Sequence, residues 1–464
     1  MEDPIEPRPW RRAHGWLLFL GPFFFASYGF ATWVTGLRDD VGVVVYSWER
    51  HIPFVPWTIV PYWIIDLLYG ISLLLCRTRR ELDTHALRLL TAQVIAVSGF
   101  LLFPLRFSFE RPPVEGVFGL LFDVLGTFDE PFNQLPSLHI ALLVLLWVVY
   151  LRALPRGLHW PLHALFALIG VSVLTTWQHH FVDVPTGLWL GLFCLWLYPD
   201  DAASPIAGAR LSDDPAPRVL AGIYALGALA VGAVALLVGG TALWLLWAAG
   251  SLALVAIAYL AAGPRVFQKR PDGTLSAAAR WLLWPYLVGA RLNSRAWTRG
   301  LTGADAVAPG LLLGRIPTKA ELRRLNVAAV VDVSAELPCP TVGRRYASVP
   351  MLDLVAPTID QLARAAQAVN ALRATGPVLV CCALGFSRSA LTVAAALLQA
   401  GQAASPEEAL ERVRAARPRV VVREPHRTAL EAWWRGERAR ADAEAACSIA
   451  STPSAATPPS TPGA

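Results

Sequence analysis

The sequence predicts a polytopic all-α membrane bundle of about eight spans, followed by a cytoplasmic α/β domain with a mostly parallel sheet. The first observation is composition: the 464 residues are 55% hydrophobic and 16% charged, whereas soluble globular proteins are about 25% charged. The second is a change of pattern after residue 307, where long apolar stretches give way to short β-rich runs that alternate with helical segments. This composition excludes a purely soluble protein, a disordered chain and a disulfide-rich secreted domain.

The membrane domain is expected over residues 1–262, which supply about eight stretches of the roughly 20 apolar residues that a span needs. These stretches lie near 15–36, 54–76, 86–104, 138–153, 158–178, 181–198, 219–238 and 241–262. Basic clusters precede the first stretch and follow the second, fourth and eighth. If every stretch crosses, all four clusters fall on one side, which the positive-inside rule makes cytoplasmic. The loops 37–53 and 105–137 and the turn near residue 179 are then external.

Residues 263–307 are expected to form an interfacial linker, with an amphipathic helix over 276–291 that bears Trp and Arg. Residues 308–436 form the predicted α/β domain. Its strand candidates are Gly310–Leu313, Val327–Val333, Tyr346–Met351 and Val378–Cys381, and its helix candidates lie near 318–325, 357–374, 387–401, 405–415 and 424–436. Residues 437–464, which end in a Ser/Thr/Pro/Ala-rich run, are expected to be a disordered tail.

A strand–loop–helix motif follows the last strand candidate: Val378-Leu-Val-Cys381-Cys382-Ala-Leu-Gly385-Phe-Ser387-Arg388-Ser389. The loop amides and the helix N-terminus together form an anion cradle. A thiol at Cys382 in that positive field would ionise readily and act as a nucleophile. Arg388 can clamp two phosphate oxygens, and Ser389 can donate a hydrogen bond to the thiolate as it leaves.

This motif resembles the C-x5-R loop of the protein tyrosine and dual-specificity phosphatase family. The resemblance covers residues 308–436 and continues upstream through Gly310-Leu-Leu-Leu-Gly-Arg-Ile-Pro and Val330-Val-Asp-Val-Ser. It implies a phosphocysteine at Cys382 and phosphate binding by Gly385, Ser387 and Ser389.

The family also places a general acid on a loop after the strand that precedes the long helix. The matching residue is Asp353, with Asp360 as the alternative. The family usually has histidine directly before the nucleophile, where this chain has Cys381. Cys381 is either a packed thiol or a partner of Cys382 in redox inactivation.

A second pattern falls on the predicted external face of the membrane domain. It consists of Arg106-Phe-Ser-Phe-Glu-Arg111-Pro112, Pro136-Ser137-Leu-His139 and His179-His180-Phe-Val-Asp183-Val-Pro-Thr-Gly187. His179 and Asp183 share one helix face if the helix continues, so the carboxylate can fix the tautomer of a nucleophilic imidazole. His139 can protonate a leaving oxygen, and the phosphate-binding candidates are Arg106, Arg111 and Ser137.

Two residues of this half have alternative interpretations. His180 is the second candidate for the nucleophile. Asp66, in the second predicted span, either faces the same cavity or makes a structural hydrogen bond inside the bundle.

The external pattern resembles the type 2 phosphatidic acid phosphatase superfamily over about residues 50–200, and its P-S-L-H form is similar to the branch of inositol phosphorylceramide synthases. The resemblance implies a phosphohistidine mechanism without metal. The superfamily's first-motif lysine is absent, and Ser172-Val173 stands where a Ser-Arg pair is usual.

Together the two resemblances imply a multi-pass protein of the bacterial inner membrane that hydrolyses phosphate monoesters, with no cofactor and no metal. The six cysteines show no paired spacing that would indicate a disulfide framework or a structural zinc site. Membrane lipids are the expected partners, and the substrate is a phospholipid headgroup or, as the alternative, a phosphoprotein. Two further alternatives are transfer of a phospho-headgroup at the external site and a degenerate sensor that binds phospholipid without turnover.

Charge is divided unevenly along the chain. Residues 1–262 carry 15 basic and 19 acidic side chains, whereas residues 263–464 carry 25 and 15. The net charge of +6 therefore hides a basic C-terminal half that suits an anionic leaflet, at about 1 kcal/mol per well-placed basic residue. Nucleic acid is not needed to explain it.

Overall fold

The computed structural model describes residues 7–127 and 131–450, apart from the side chains of 441 and 444–450. The chain divides into two compact units. The first comprises Met1–Ala209, Gly227–Ser251 and Ala277–Leu282, and the second comprises Arg210–Leu226, Leu252–Ser276 and Leu283–Ala464. Part of the segment that precedes the α/β domain therefore belongs to the same unit as that domain.

The N-terminal part of the chain is helical. Its helices are α1 (Trp10–Gly36), α2 (Ile59–Leu75), α3 (Arg79–Leu102), α4 (Gly116–Gly126), α5 (Leu138–Ala153), α6 (His159–Thr175), α7 (Asp183–Leu197), α8 (Pro215–Val238) and α9 (Leu245–Ile257). A π-helical turn, Ala258–Ala262, and a 3-10 turn, Gly263–Phe267, follow α9. The predicted helical character is confirmed, and α4 is an addition within the segment that was expected to be a loop.

Six helical runs of the described chain are long and apolar enough to cross a membrane. They are Trp10–Gly36, Pro56–Leu75, Arg79–Leu102, Arg156–Thr175, Pro215–Val238 and Gly240–Phe267. The fourth and sixth predicted spans correspond to α5 and α7, which are apolar but shorter. The third begins at Arg79, seven residues before the predicted start, because Thr78 caps it by accepting a hydrogen bond from the Glu81 amide at 3.1 Å.

Glycines let α5 and α7 approach each other closely. A Cβ atom at Gly187 would lie 2.4 Å from the carbonyl oxygen of Ser137, and one at Gly191 would lie 2.7 Å from Cβ of Val144. No other residue type fits this crossing without displacing one helix. The contact brings the start of α7 against the start of α5, where the external motifs lie.

The C-terminal domain has a five-stranded mixed sheet. Its strands are β1 (Ala304–Ala308), β2 (Leu311–Arg315), β3 (Ala329–Ser334), β4 (Arg345–Met351) and β5 (Val378–Cys382), in the order β1-β2-β5-β3-β4. The β1–β2 pair is antiparallel and the other three pairs are parallel. Every residue of β3 and β5 is buried, as expected of central strands covered on both faces.

Seven helices accompany this sheet or precede it. They are α10 (Ala277–Leu282), α11 (Trp284–Trp297), α12 (Lys319–Arg324), α13 (Ile359–Arg373), α14 (Arg388–Gln399), α15 (Pro406–Ala416) and α16 (Glu424–Ala450). The four predicted strands correspond to β2–β5, and β1 is an addition. Helix α16 continues to Ala450, so residues 437–450 are helical where a disordered tail was expected, and residues 451–464 lie outside the described residues.

The expected linker is anchored to the sheet by buried contacts. The ammonium group of Lys269 donates to the Asp332 carboxylate at 2.5 Å and to the backbone carbonyls of Ser334 and Leu337. The side chains of Lys269 and Asp332 are 1% and 0% exposed. A buried charge is tolerated only when it is paired in this way. Residues 263–276 are therefore part of the α/β unit's structure.

Candidate active site

Cys382 ends β5 and opens the loop that leads into α14. Two groups donate hydrogen bonds to its sulfur: the amide of Gly385 and the hydroxyl of Ser389, each at 3.2 Å. Both donors therefore lie at the sulfur atom that would act as the nucleophile. Ser387 occupies the N-cap position of α14 without a capping side-chain bond and is partly buried.

Gly385 fixes the shape of this loop. Its φ is +74°, a left-handed value that favours glycine. A Cβ atom there would lie 2.5 Å from the carbonyl carbon of Gly314 and 2.7 Å from the amide nitrogen of Arg315. The nucleophile loop therefore packs directly on the backbone of β2.

Arg388 is buried and held mainly by Glu336, which follows β3. Its two terminal nitrogens donate to the two Glu336 oxygens at 2.8 and 2.7 Å, and Nη1 also donates to the Met351 carbonyl at 2.9 Å. Burial alone would raise the pKa of Glu336, but the charge of Arg388 holds this pKa below its usual value. Within the described chain Nε has no hydrogen-bond partner, so the Nε–Nη2 edge is the one that a phosphate can take.

The predicted general acid lies at that edge. One oxygen of Asp353, on the loop after β4, is 3.0 Å from Nη2 of Arg388, and the carboxylate is 30% exposed. The alternative, Asp360, lies in the first turn of α13, where it pairs with Arg364 at 2.9 Å and is 74% exposed. The geometry favours Asp353 because it contacts Arg388, the predicted phosphate-binding arginine.

Cys381 and Cys382 face opposite sides of β5. Cys382 packs in the core that contains α13 and α14, whereas Cys381 packs in a separate cluster with Cys339 and Leu379. A hydrogen bond with Cys339, together with burial, raises the pKa of the Cys381 thiol well above its usual value. This placement supports the packed-thiol interpretation of Cys381.

Glu336 and His426 were not among the sequence candidates. Glu336 carried one usable signal, its position at the carboxyl end of a buried parallel strand, where ligand-binding residues of α/β sheets collect. His426, near the start of α16, is 3% exposed, and neither ring nitrogen has a partner in the part of the chain that the structure describes. Burial, followed by the charge of Arg423, lowers the pKa of His426.

The histidine motifs that the sequence predicts to be external lie in the first unit. Nδ1 of His179 lies 3.2 Å from an Asp183 oxygen, and both side chains are buried. His139 stacks on Tyr62, with ring centroids 4.2 Å apart. Among the described residues, Nε2 of His139 and the second oxygen of Asp183 have no hydrogen-bond partner. These groups could serve as a nucleophile, its orienting carboxylate and a proton donor.

His180 is held in a different way from His179. Its Nδ1 lies 2.9 Å from a carboxylate oxygen of Glu49, and the amide of Ser108 donates to its Nε2 at 3.1 Å. Burial alone would raise the pKa of Glu49, but hydrogen bonds from His180 and from the Tyr46 and Phe181 amides hold it below its usual value. Both ring nitrogens of His180 are occupied, which favours His179 as the nucleophile.

The predicted phosphate-binding residues of this half are dispersed. Ser137 is buried and caps α5 by accepting from the Ile140 amide at 3.3 Å, whereas Arg106 is exposed. Arg111 stacks over Phe122 and lines a cavity of about 580 Å³ that also contains Gln178, next to His179. Asp66 lies exposed on α2.

Comparison with known proteins concerns the C-terminal domain. Residues 313–435 match the family model "Dual specificity phosphatase, catalytic domain". No curated protein matches the chain. Similar solved structures include PTPMT1 in complex with PI(5)P, with 28% identity over 30% of this chain and 99% of that one at a TM-score of 0.28, and human DUSP28, with 29% identity over 30% and 96% at 0.28. A mouse putative dual specificity phosphatase complexed with zinc tungstate shows 27% identity over 31% and 93%, at 0.29. Residues 313–435 form a dual-specificity-phosphatase-type catalytic domain.

Proposed function

We propose that the chain is a membrane-bound phosphatase that hydrolyses phosphate monoesters through a phosphocysteine at Cys382. The observation that carries this proposal is the arrangement of three side chains. The Cys382 sulfur accepts two hydrogen bonds, and Arg388 turns its Nε–Nη2 edge, of which only Nε is unpartnered within the described residues, toward Asp353. A nucleophile, an anion clamp and a proton donor are the groups that this chemistry requires.

The reaction proceeds in two displacements. A phosphate takes the Nε–Nη2 edge of Arg388 and the loop amides, which displaces the Asp353 carboxylate from the arginine, and the released carboxylate takes up a proton from solvent. The Cys382 thiolate attacks phosphorus, the ester P–O bond breaks, and Asp353 gives its proton to the leaving oxygen. Water then attacks the phosphocysteine, Asp353 takes a proton from that water, and the P–S bond breaks to release phosphate. Ser389 donates its hydrogen bond to the departing thiolate.

A phospholipid headgroup is the substrate class that we favour. The apolar helical runs would tether the catalytic domain to a bilayer, and the excess of basic side chains in residues 263–464 would hold it against an anionic surface. The distribution of basic clusters supports a cytoplasmic position for this domain, and the resemblance to bacterial fusions supports the bacterial inner membrane. A phosphoprotein is the alternative substrate.

A second, external phosphatase site is centred on His179. The observation in its favour is the His179–Asp183 contact beside an unpartnered His139 nitrogen among the described residues. In this scheme His179 forms a phosphohistidine and His139 protonates the leaving oxygen. If a lipid alcohol replaced water as the acceptor, the same site would transfer a phospho-headgroup. A site that bound phospholipid without turnover would act as a sensor.

The test compares phosphate release by purified wild-type, Cys382→Ser and His179→Ala proteins. Cys381→Ser is the matched control, because it alters the neighbouring thiol on the opposite face of β5. We expect Cys382→Ser to abolish release at the cytoplasmic site and Cys381→Ser to retain it. Activity lost only in Cys382→Ser would reject the external site, and full activity in both Cys382→Ser and His179→Ala would reject the whole proposal. If His179→Ala lowers turnover only when an acceptor lipid is present, the external site transfers a headgroup.

A further inference from the structure

Three tyrosines from outside the matched catalytic region lie together in the second unit. Tyr224 belongs to α8, Tyr259 to the π-helical turn after α9, and Tyr286 to α11. The rings of Tyr224 and Tyr259 stack with centroids 5.4 Å apart, and Tyr224 meets Tyr286 edge to face at 5.9 Å. We call these residues the tyrosine cluster. None of them falls within residues 313–435.

The tyrosine cluster touches the loop that carries the general acid. The hydroxyl of Tyr259 donates to the backbone carbonyl oxygen of Asp353 at 3.2 Å, and Tyr259 is 4% exposed. A buried hydroxyl needs such a partner, so the bond fixes the position of this carbonyl with respect to the helical turn. Helix α11 also holds the nucleophile loop, since Ser294 donates to the Ala383 carbonyl at 2.6 Å.

The loop at Asp353 needs external support. The next residue, Leu354, has φ of +60°, a left-handed conformation that a leucine rarely adopts. Its side chain is 46% exposed and packs too little to offset that strain. A strained backbone persists where its neighbours hold it in place. Here the restraints on Asp353 are Arg388 on the side chain and Tyr259 on the backbone.

Tyr224 and Tyr259 belong to helical runs that could cross a membrane. These runs are Pro215–Val238 and Gly240–Phe267. Tyrosine is enriched where spans leave the bilayer, because its ring is apolar and its hydroxyl is polar. Tyr259 lies in the C-terminal third of its run, so this part of a candidate span is hydrogen-bonded to the catalytic loop.

We propose that Tyr259 is a positioning residue for the general acid, and that the membrane region thereby completes the phosphatase site. The proposal rests on the proposed function, since it takes Asp353 as the proton donor. Without the Tyr259 hydroxyl the strained loop relaxes and Asp353 is misplaced with respect to the leaving oxygen. Proton donation then suffers, whereas attack by Cys382 does not.

The test uses the full chain in lipid vesicles and two substrates that differ in leaving group. Phenyl phosphate needs the proton because phenolate leaves poorly, whereas p-nitrophenyl phosphate needs it far less. The variant is Tyr259→Phe, and the control is Tyr150→Phe, which also removes a hydroxyl bonded to a backbone carbonyl, that of Leu68 at 3.0 Å. Rates that remain in Cys382→Ser are subtracted.

We expect Tyr259→Phe to lower kcat/KM for phenyl phosphate about tenfold and kcat/KM for p-nitrophenyl phosphate by less than about twofold, since a general acid contributes about 10²–10⁴-fold in all. The comparison uses kcat/KM because it covers only the steps up to formation of the phosphocysteine, and so leaves out the later attack by water that both substrates share. Tyr150→Phe should leave the ratio of the two rates unchanged. The ratio does not depend on the folded fraction, because both substrates report on the same folded enzyme. An equal loss for both substrates, or no loss for either, overturns the positioning role. Absence of Cys382-dependent turnover in the wild type overturns the proposed function itself.

Discussion

Replacing Glu336 with glutamine tests how Arg388 is held. The side chains of Arg388 and Glu336 are 1% and 5% exposed and are joined by two charge-assisted bonds. Glutamine keeps the shape of glutamate and one acceptor oxygen, but it carries no charge. Its NH₂ group would face one of the Arg388 nitrogens, and both groups are hydrogen-bond donors. Removing one partner of a buried pair costs about 3–5 kcal/mol, and a bond to a charged group contributes about 1.5–3 kcal/mol. Because one bond survives, we expect a loss of about 2–3 kcal/mol in the free energy of unfolding.

For a unit of this size the loss corresponds to a fall of about 5–10 °C in Tm. The measurement is pulse proteolysis of the full chain across a temperature range, with the C-terminal unit followed on a blot. Glu408→Gln is the matched control, since Glu408 pairs with Arg412 at 2.7 Å on the exposed face of α15 and should barely shift Tm. An unchanged Tm in Glu336→Gln would refute the reasoning that Glu336 compensates the buried arginine.

Three further perturbations test other parts of the structure. Gly385→Ala should abolish Cys382-dependent turnover, because the added Cβ meets the Gly314 backbone at 2.5 Å, and retained phosphate release would contradict the derived loop shape. Lys269→Met should destabilise the α/β unit by about 3 kcal/mol by leaving the Asp332 charge unpaired, and unfolding as in the wild type would show that this pair contributes little. The pKa of His426 is lowered in the folded protein, so the unfolded chain binds a proton at this residue more readily. The free energy of unfolding should therefore decrease as pH falls below about 6.5. His426→Phe should flatten this pH dependence when unfolding is measured at several pH values. If the pH dependence of unfolding is unchanged in His426→Phe, another titratable group causes it.

The features that the sequence predicts well are local ones. The strand, the glycine and the Cys-to-Arg spacing of the nucleophile loop all lie within Val378–Ser389, so a short stretch of sequence is enough to predict them. His179 and Asp183 are likewise one helical turn apart, and the predicted contact is present at 3.2 Å. The helical first part and the α/β second part follow from hydrophobic periodicity in the same way.

The contacts that the sequence does not predict join distant positions. Arg388 and Glu336 are 52 residues apart, and Tyr259 and Asp353 are 94 apart. The sequence offers His180 as the second candidate for the nucleophile, but its Nδ1 is hydrogen-bonded to Glu49, which is 131 residues away. Periodicity and spacing carry no information on such pairings, which depend on how the segments pack. For the same reason the sequence predicts an interfacial linker over residues 263–307 and does not predict the buried pair that Lys269 makes with Asp332 of β3.

A covalent phosphoenzyme at Cys382 can be trapped and identified. Asp353→Asn should retain attack by the thiolate on p-nitrophenyl phosphate but activate water poorly, so the intermediate accumulates. The measurement is rapid quenching of the full-length variant followed by mass spectrometry of its peptides. We expect phosphate on Cys382 of the Asp353→Asn variant and no phosphate on the C-terminal domain of the Cys382→Ser, Asp353→Asn double variant. Phosphate on another residue of the C-terminal domain in place of Cys382, or substrate turnover by Cys382→Ser at the wild-type rate, would exclude a phosphocysteine at this site.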